Sequence, residues 1–131
     1  MKKKYLIVVA NYYENVSKGL LKEALNFLPK TSLVKIIEVP GAFEIPITIA
    51  KNIKKHDGFI ALGCIIKGQT PHFEFISQSI TDAIMNLSIK NKKPIGNGII
   101  TCLNSEQAMA RSKSKGLEAA IAVMEVLKND L

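Results

Sequence analysis

A chain of 131 residues with 47% hydrophobic content fits one domain with a self-sufficient core, and a two-domain organisation is not expected. The net charge of +7 rests on 18 basic residues, of which Arg111 alone is an arginine. Nucleic-acid readers rely on arginine geometry and aromatic-rich basic stripes, so the scattered lysines are expected to be a solvated surface with some attraction for small anions.

The first strand spans Tyr5 to Ala10. The stretch from Met1 to Ala10 superficially suggests a signal peptide, but its apolar run is short and leads into Asn11-Tyr12-Tyr13-Glu14-Asn15 without a small-residue cleavage site. Leu20, Leu21, Ala24, Leu25 and Leu28 then recur at helical spacing, followed by a second strand from Leu33 to Val39. Pro46 starts a second helix with Ile49, Ala50 and Ile53 inward, and a third strand covers Gly58 to Gly63. Ile76, Ile80, Ala83, Ile84 and Leu87 mark the third helix, and Ile95 to Thr101 the fourth strand. The last helical region opens on Asn104-Ser105-Glu106-Gln107, a capping-box pattern, and runs through Leu117, Ala120, Ile121, Met124 and Leu127, with a kink or break expected near Ser112 to Lys115. Each strand is apolar on consecutive positions, as in a sheet covered on both faces. Repeated strand–helix units imply an α/β three-layer sandwich around a four-stranded parallel sheet with flavodoxin-like connectivity. No apolar run approaches the roughly 20 residues of a membrane span. Cys64 and Cys102 lie in apolar runs without disulfide or zinc-ligand spacing, so a reducing cytoplasm and no metal are expected.

Ligands collect beyond the carboxyl ends of strands in such sheets, which directs attention to four loops. After the first strand, Tyr12 or Tyr13 offers a ring for stacking, or simply covers the sheet end. After the second, Gly41 and Ala42 permit close approach, and Glu44 either accepts hydrogen bonds from a ligand or complements a helix dipole. After the third, Cys64 reads as a packing residue, with no histidine or acid arranged to activate it. Lys67-Gly68-Gln69-Thr70-Pro71 then forms a turn, with Thr70 as cap, Pro71 at the first helical position and His72 in the first turn. This is either a well-capped connection or an anion cradle with a proton-transfer group beside it. His56, within Lys54-Lys55-His56-Asp57, is expected to be exposed. Arg111 and Lys115 share a face if the last helix is continuous, which suits either phosphate recognition or a solvated helix surface.

The segments VPGAFEIP (39–46), ALGCIIKGQTPHFEF (61–75) and T-x5-QAMAR ending at Arg111, with Lys115-Gly116 after it, occur in order. Together they resemble the 6,7-dimethyl-8-ribityllumazine synthase family over nearly the whole chain. The resemblance implies a transferase of riboflavin biosynthesis that joins 5-amino-6-(D-ribitylamino)uracil to 3,4-dihydroxy-2-butanone 4-phosphate, with no redox cofactor or metal. It puts Tyr12 against the pyrimidine and Ala42, Phe43 and Glu44 around the pyrimidine and ribityl chain. It lines the same pocket with Cys64, Ile65 and Ile66, sets Gln69 and Thr70 on the phosphate, and makes His72 the proton donor. Asn97, Arg111 and Lys115 are implied to reach a neighbouring subunit's pocket in a pentamer or an assembly of pentamers, and riboflavin synthase is an expected partner. The chain departs from the family pattern at Asn11-Tyr12-Tyr13, where Arg-Phe-Asn is usual, at Asn97 in place of an aromatic, and in a shorter segment between Arg111 and Lys115. A non-catalytic lumazine-binding or shell-forming protein of the same fold is the alternative reading.

Overall fold

The computed structural model describes residues 2–129, so Met1 and the last two residues of the expected 1–131 domain lie outside the described residues. Four parallel strands, β1 (Lys4–Ala10), β2 (Leu33–Val39), β3 (Gly58–Ile66) and β4 (Ile95–Cys102), form one sheet in the order β2-β1-β3-β4. The connecting helices are α1 (Glu14–Phe27), α2 (Ile45–Asn52) after a 3-10 turn at Ala42–Glu44, and α3 (Phe73–Asn91). After β4 come α4 (Ser105–Arg111) and α5 (Lys115–Leu127).

The strand alternation assigns the layers. On β1, Tyr5, Ile7 and Val9 join Leu20 and Ala24 of α1 and Ala119, Ala120 and Val123 of α5, whereas Leu6, Val8 and Ala10 join Ile45 and Ile49 of α2 and Ile80 and Ile84 of α3. β3 is buried along its whole length, so its uninterrupted apolar run reflects cover on both faces. β2 differs from expectation: it is an edge strand, with Leu33, Lys35, Ile36 and Glu38 exposed.

Glycines set the close approach of α5. A Cβ at Gly96 would lie 2.2 Å from the Ala119 carbonyl oxygen, and one at Gly116 would lie 2.1 Å from that of Leu20. Gly116 therefore permits packing of α5 on α1 rather than causing the break in the last helical region, which falls one turn earlier, between Arg111 and Lys115.

Two expectations need correction. His56 is buried: its ring meets Phe59 edge-on at 5.8 Å and its Nδ1 lies 3.4 Å from the Asn52 carbonyl oxygen. Burial lowers its pKa below the ordinary value, with the Asn52 carbonyl opposing, Lys35 and Lys4 adding to the fall, and Asp57 opposing. The third strand continues to Ile66, so Cys64, Ile65 and Ile66 belong to β3 rather than to the loop after it.

The order of strand addition reverses at β1. The chain steps from β1 outward to β2, then crosses back to place β3 on the other side of β1. That reversal splays the connections apart and leaves a crevice at the carboxyl ends of β1 and β3.

Candidate active site

The crevice is occupied by a cleft of about 220 Å³ lined by Tyr12, Tyr13, Gly41, Ala42, Phe43, Cys64, Ile65, Gln69, Thr70, Pro71 and Ile76. Each segment has a local anchor. The buried Ser17 hydroxyl of α1 donates to the Ala10 carbonyl, and the Asn11 N–H donates to the Val39 carbonyl at 3.0 Å, which ties the Tyr12–Tyr13 corner to two strand ends. The two tyrosine rings meet edge-to-face, 4.9 Å between centroids at 84°. Tyr12 is 72% exposed and Phe43 66%, so two aromatic faces at the mouth are free to receive a planar ring.

The wall from 66 to 72 is held differently. The Lys67 N–H donates to the Cys102 carbonyl at 2.9 Å, and the Gln69 N–H to the Ile66 carbonyl at 3.1 Å. The Gln69 N–H is therefore already committed. The described hydrogen bonds leave the Thr70 N–H free as a donor. The helix begins at Phe73, not at Pro71, and its cap is His72 in the left-handed region at φ 58° and ψ 39°. Thr70 makes no capping hydrogen bond. A non-glycine residue held at positive φ costs about 1–2 kcal/mol and clusters at working sites. His72 is exposed on that corner, and its carbonyl accepts the Ile76 N–H at 2.9 Å. Lys67 pairs with Glu74 at 3.1 Å, which holds that carboxyl below its ordinary pKa.

Cys64 is no nucleophile. Burial, reinforced by the neighbouring Cys102, pushes its thiol up to about 12, so the reactive thiolate is absent near neutrality. The cleft lining carries no charged side chain.

The cations lie elsewhere. A second depression, about 320 Å³, is lined by Ile99, Ile100 and Thr101 of β4 with Arg111, Ser114, Lys115 and Glu118. The helix is not continuous between Arg111 and Lys115, yet the break at 112–114 keeps both on one depression. Arg111 Nη1 donates to the Thr101 carbonyl at 2.7 Å, which aims the guanidinium along the end of β4. Asn97 is exposed on β4, where its Oδ1 accepts the Ile99 N–H at 3.0 Å.

Of the expected site residues, Tyr12, Ala42, Phe43, Cys64, Ile65, Gln69 and Thr70 converge on the cleft. Glu44 sits just outside it, with its carboxylate against Gly41, and His72 lies one residue beyond its Pro71 wall. Ile66 is fully buried on the other face of the sheet and borders a separate depression with Gly68, Leu103 and Ser105. Arg111 and Lys115 stand in the cationic depression, away from the cleft lining. Tyr13, Pro71 and Ile76 also line the cleft, beyond the residues that the family resemblance implies. Tyr13 was visible only as one of two adjacent aromatics, and Ile76 as a core position of α3.

The profile of the family described as 6,7-dimethyl-8-ribityllumazine synthase matches residues 2–130. The chain belongs to that family. Among its relatives, a 6,7-dimethyl-8-ribityllumazine synthase of Bartonella tribocorum is 43% identical, the match covering 94% of this chain and 89% of the relative. One of Limosilactobacillus reuteri is 42% identical over 93% of this chain and 84% of its own length. One of Buchnera aphidicola subsp. Baizongia pistaciae is 40% identical over 96% and 86%. The four-stranded parallel sheet and its order are consistent with the lumazine synthase fold.

Proposed function

We propose that the chain catalyses the condensation of 5-amino-6-(D-ribitylamino)uracil with 3,4-dihydroxy-2-butanone 4-phosphate to 6,7-dimethyl-8-ribityllumazine, phosphate and water. The observation that carries this reading is the uncharged, aromatic-mouthed cleft at the β1/β3 reversal of a chain in this family. The pyrimidine lies against Tyr12 and Phe43, with Ala42 and Glu44 toward the ribityl chain and Cys64 and Ile65 as neutral wall. The phosphate takes the free Thr70 N–H and the Gln69 side chain, whose amide nitrogen is now 3.4 Å from the Ser105 hydroxyl.

Imine formation, phosphate elimination and ring closure require proton movement and placement more than a strong nucleophile. Holding two reactants in register supplies roughly 7 kcal/mol or more in well-oriented cases, and a positioned histidine about 10² to 10⁴-fold. His72 is the proton donor of this reading, presented to solvent at the corner beside the cleft.

The cleft lacks a cation for the phosphate, and the only arginine lies on another depression. A second copy that brings its Arg111 and Lys115 to the mouth completes the site. This is a heterologous contact, which closes into a ring when the rotation between neighbours closes. Phe43, Ile47, Phe75, Met85 and Ile89 are exposed apolar side chains of the 42–44 turn, α2 and α3, which supports a homo-oligomer, a pentamer or an assembly of pentamers. Asn97 adds no ring in that contact, so stacking falls to the cleft's own aromatics. The reading takes residues 1–131 as one domain working in the cytoplasm without cofactor or metal, with riboflavin synthase as partner. No helix among the described residues is long and apolar enough to cross a membrane.

Incubating the purified protein with both substrates and following lumazine absorbance against the spontaneous condensation tests the activity. Absence of acceleration defeats it, and pyrimidine binding without turnover supports a lumazine-binding protein instead. Sedimentation velocity tests the shared site, which a stable monomer contradicts. Co-purification with riboflavin synthase tests the partner, and fractionation of the source cells tests the compartment.

A further inference from the structure

Among the described residues, two buried side-chain polar atoms lack a hydrogen-bond partner: the Tyr13 hydroxyl and the Ser77 hydroxyl. Tyr13 lines the cleft, whereas Ser77 does not. Buried phenols ordinarily find a partner, so an unpartnered one in a binding cleft needs a reason. The Tyr13 backbone caps α1 at φ −106° and ψ 86° without using its side chain, so capping is not that reason.

The surroundings of the hydroxyl define what it can bind. Burial raises the Tyr13 pKa above its ordinary value, the Thr70 side chain opposes that shift, and Cys64, Tyr12 and Cys102 add to it. The phenol is therefore protonated at neutral pH and available as a donor. Thr70 acts on the phenol's charge as a hydrogen-bonding neighbour would, lowering its pKa, yet the two hydroxyls do not meet in hydrogen-bond geometry and the Tyr13 oxygen keeps its donor capacity. The cleft lining combines the exposed rings of Tyr12 and Phe43 with uncharged donors from Thr70, Gln69 and Tyr13. A planar ring suits the former and an oxyanion the latter.

We infer that the Tyr13 hydroxyl donates a hydrogen bond to a phosphate oxygen of the phosphorylated reactant, beside Thr70. This inference rests on the proposed reaction for the identity of that reactant, but the phosphate contact is measurable without turnover. The hydroxyl is covered in the free chain, so the contact requires the cleft lining to shift as the phosphate enters. Tyr13 is then a positioning residue that selects the phosphorylated substrate and leaves proton transfer to His72.

Tyr13→Phe removes one oxygen and keeps the ring against Tyr12. The expected result is a rise of about 5- to 10-fold in both the KM for the butanone phosphate and the inhibition constant of inorganic phosphate. The KM for the pyrimidine should stay within about twofold, and Tm should be unchanged or higher because an unpartnered polar atom has gone. Unchanged phosphate constants overturn the inference, as does a rise confined to the pyrimidine. If the wild-type protein does not accelerate lumazine formation yet binds inorganic phosphate about 5- to 10-fold more tightly than Tyr13→Phe by calorimetry, the reaction fails and the phosphate contact stands. If that binding is absent or equal in the two proteins, the inference falls on its own evidence.

Discussion

The cleft and the cationic depression both sit at strand ends, but they are made of different material. The cleft is walled by β3, the most buried strand of the sheet, and by loops tied to β1 and β2 through backbone hydrogen bonds. The depression lies on β4, an edge strand, and takes its charges from the break between two short helices. Uncharged shape is kept where the dielectric is low and the backbone rigid. Charge is kept where water solvates it, which avoids the cost of burying an unpaired cation. On the proposed reading, in which a neighbouring copy brings its Arg111 to the cleft, the two features are complementary halves of one task.

The comparison breaks most visibly in mixed assemblies. His72→Ala alone is expected to lower kcat about 10²-fold while leaving turnover measurable, and an unchanged rate would remove His72 from the mechanism. Co-expressing His72→Ala and Arg111→Ala subunits should restore activity at roughly a quarter of the sites, those pairing an intact cleft with an intact neighbouring arginine in a symmetric ring. Recovery no better than the average of the two parents would show that each chain holds its whole site.

Next in size, Arg111→Ala should raise the KM for the butanone phosphate about 10- to 100-fold, since charge-assisted hydrogen bonds contribute roughly 1.5–3 kcal/mol. Pyrimidine affinity should barely move, and an equal loss for both substrates would sink the division of labour between the two depressions. Tyr12→Ala should show the reverse selectivity, with pyrimidine affinity lower by up to about tenfold. Titration calorimetry with each substrate reads both effects.

The smallest effects are on stability. The Cys64 thiol, pushed from its ordinary 9.0 up to about 12, stays protonated in the folded chain while the unfolded chain loses its proton. The folded state then binds more protons, so this contribution is fully present below pH 9 and is lost as pH rises toward 12, by up to about 1.4 kcal/mol per pH unit. Denaturant melts of wild type and Cys64→Ala between pH 8 and 10 should converge on that account, and parallel curves would contradict it. His56 has the opposite sign. Its lowered pKa means the unfolded chain takes up a proton first on acidification, so stability present above about pH 6.5 declines as pH falls. His56→Gln should flatten that decline.

Much of the architecture was legible because burial on both sheet faces leaves uninterrupted apolar runs, and because Asn104 does cap α4 by accepting the Gln107 N–H at 2.9 Å. Where the reading went astray, local cues competed with tertiary ones. Gly63 looked like the end of a strand, yet its missing side chain leaves room for Ala10 and lets β3 run on. Pro71 suits a first helical turn, but the left-handed step at His72 delays the helix by two residues. His56 sits in a polar tetrapeptide and is nevertheless buried, because Phe59 and the end of α2 close over it. Tyr12 and Tyr13 are alike in sequence, and only their perpendicular rings separate a solvent-facing stacker from a covered donor.

Asn97 has a consequence for how copies of the chain can meet. β4 pairs only with β3 among the described residues, and an open edge with free N–H groups invites another strand to extend the sheet. The Asn97 amide oxygen occupies the Ile99 N–H and withdraws one rung of that ladder. With one rung already taken by the strand's own side chain, this edge is a poorer template for endless strand addition by another copy.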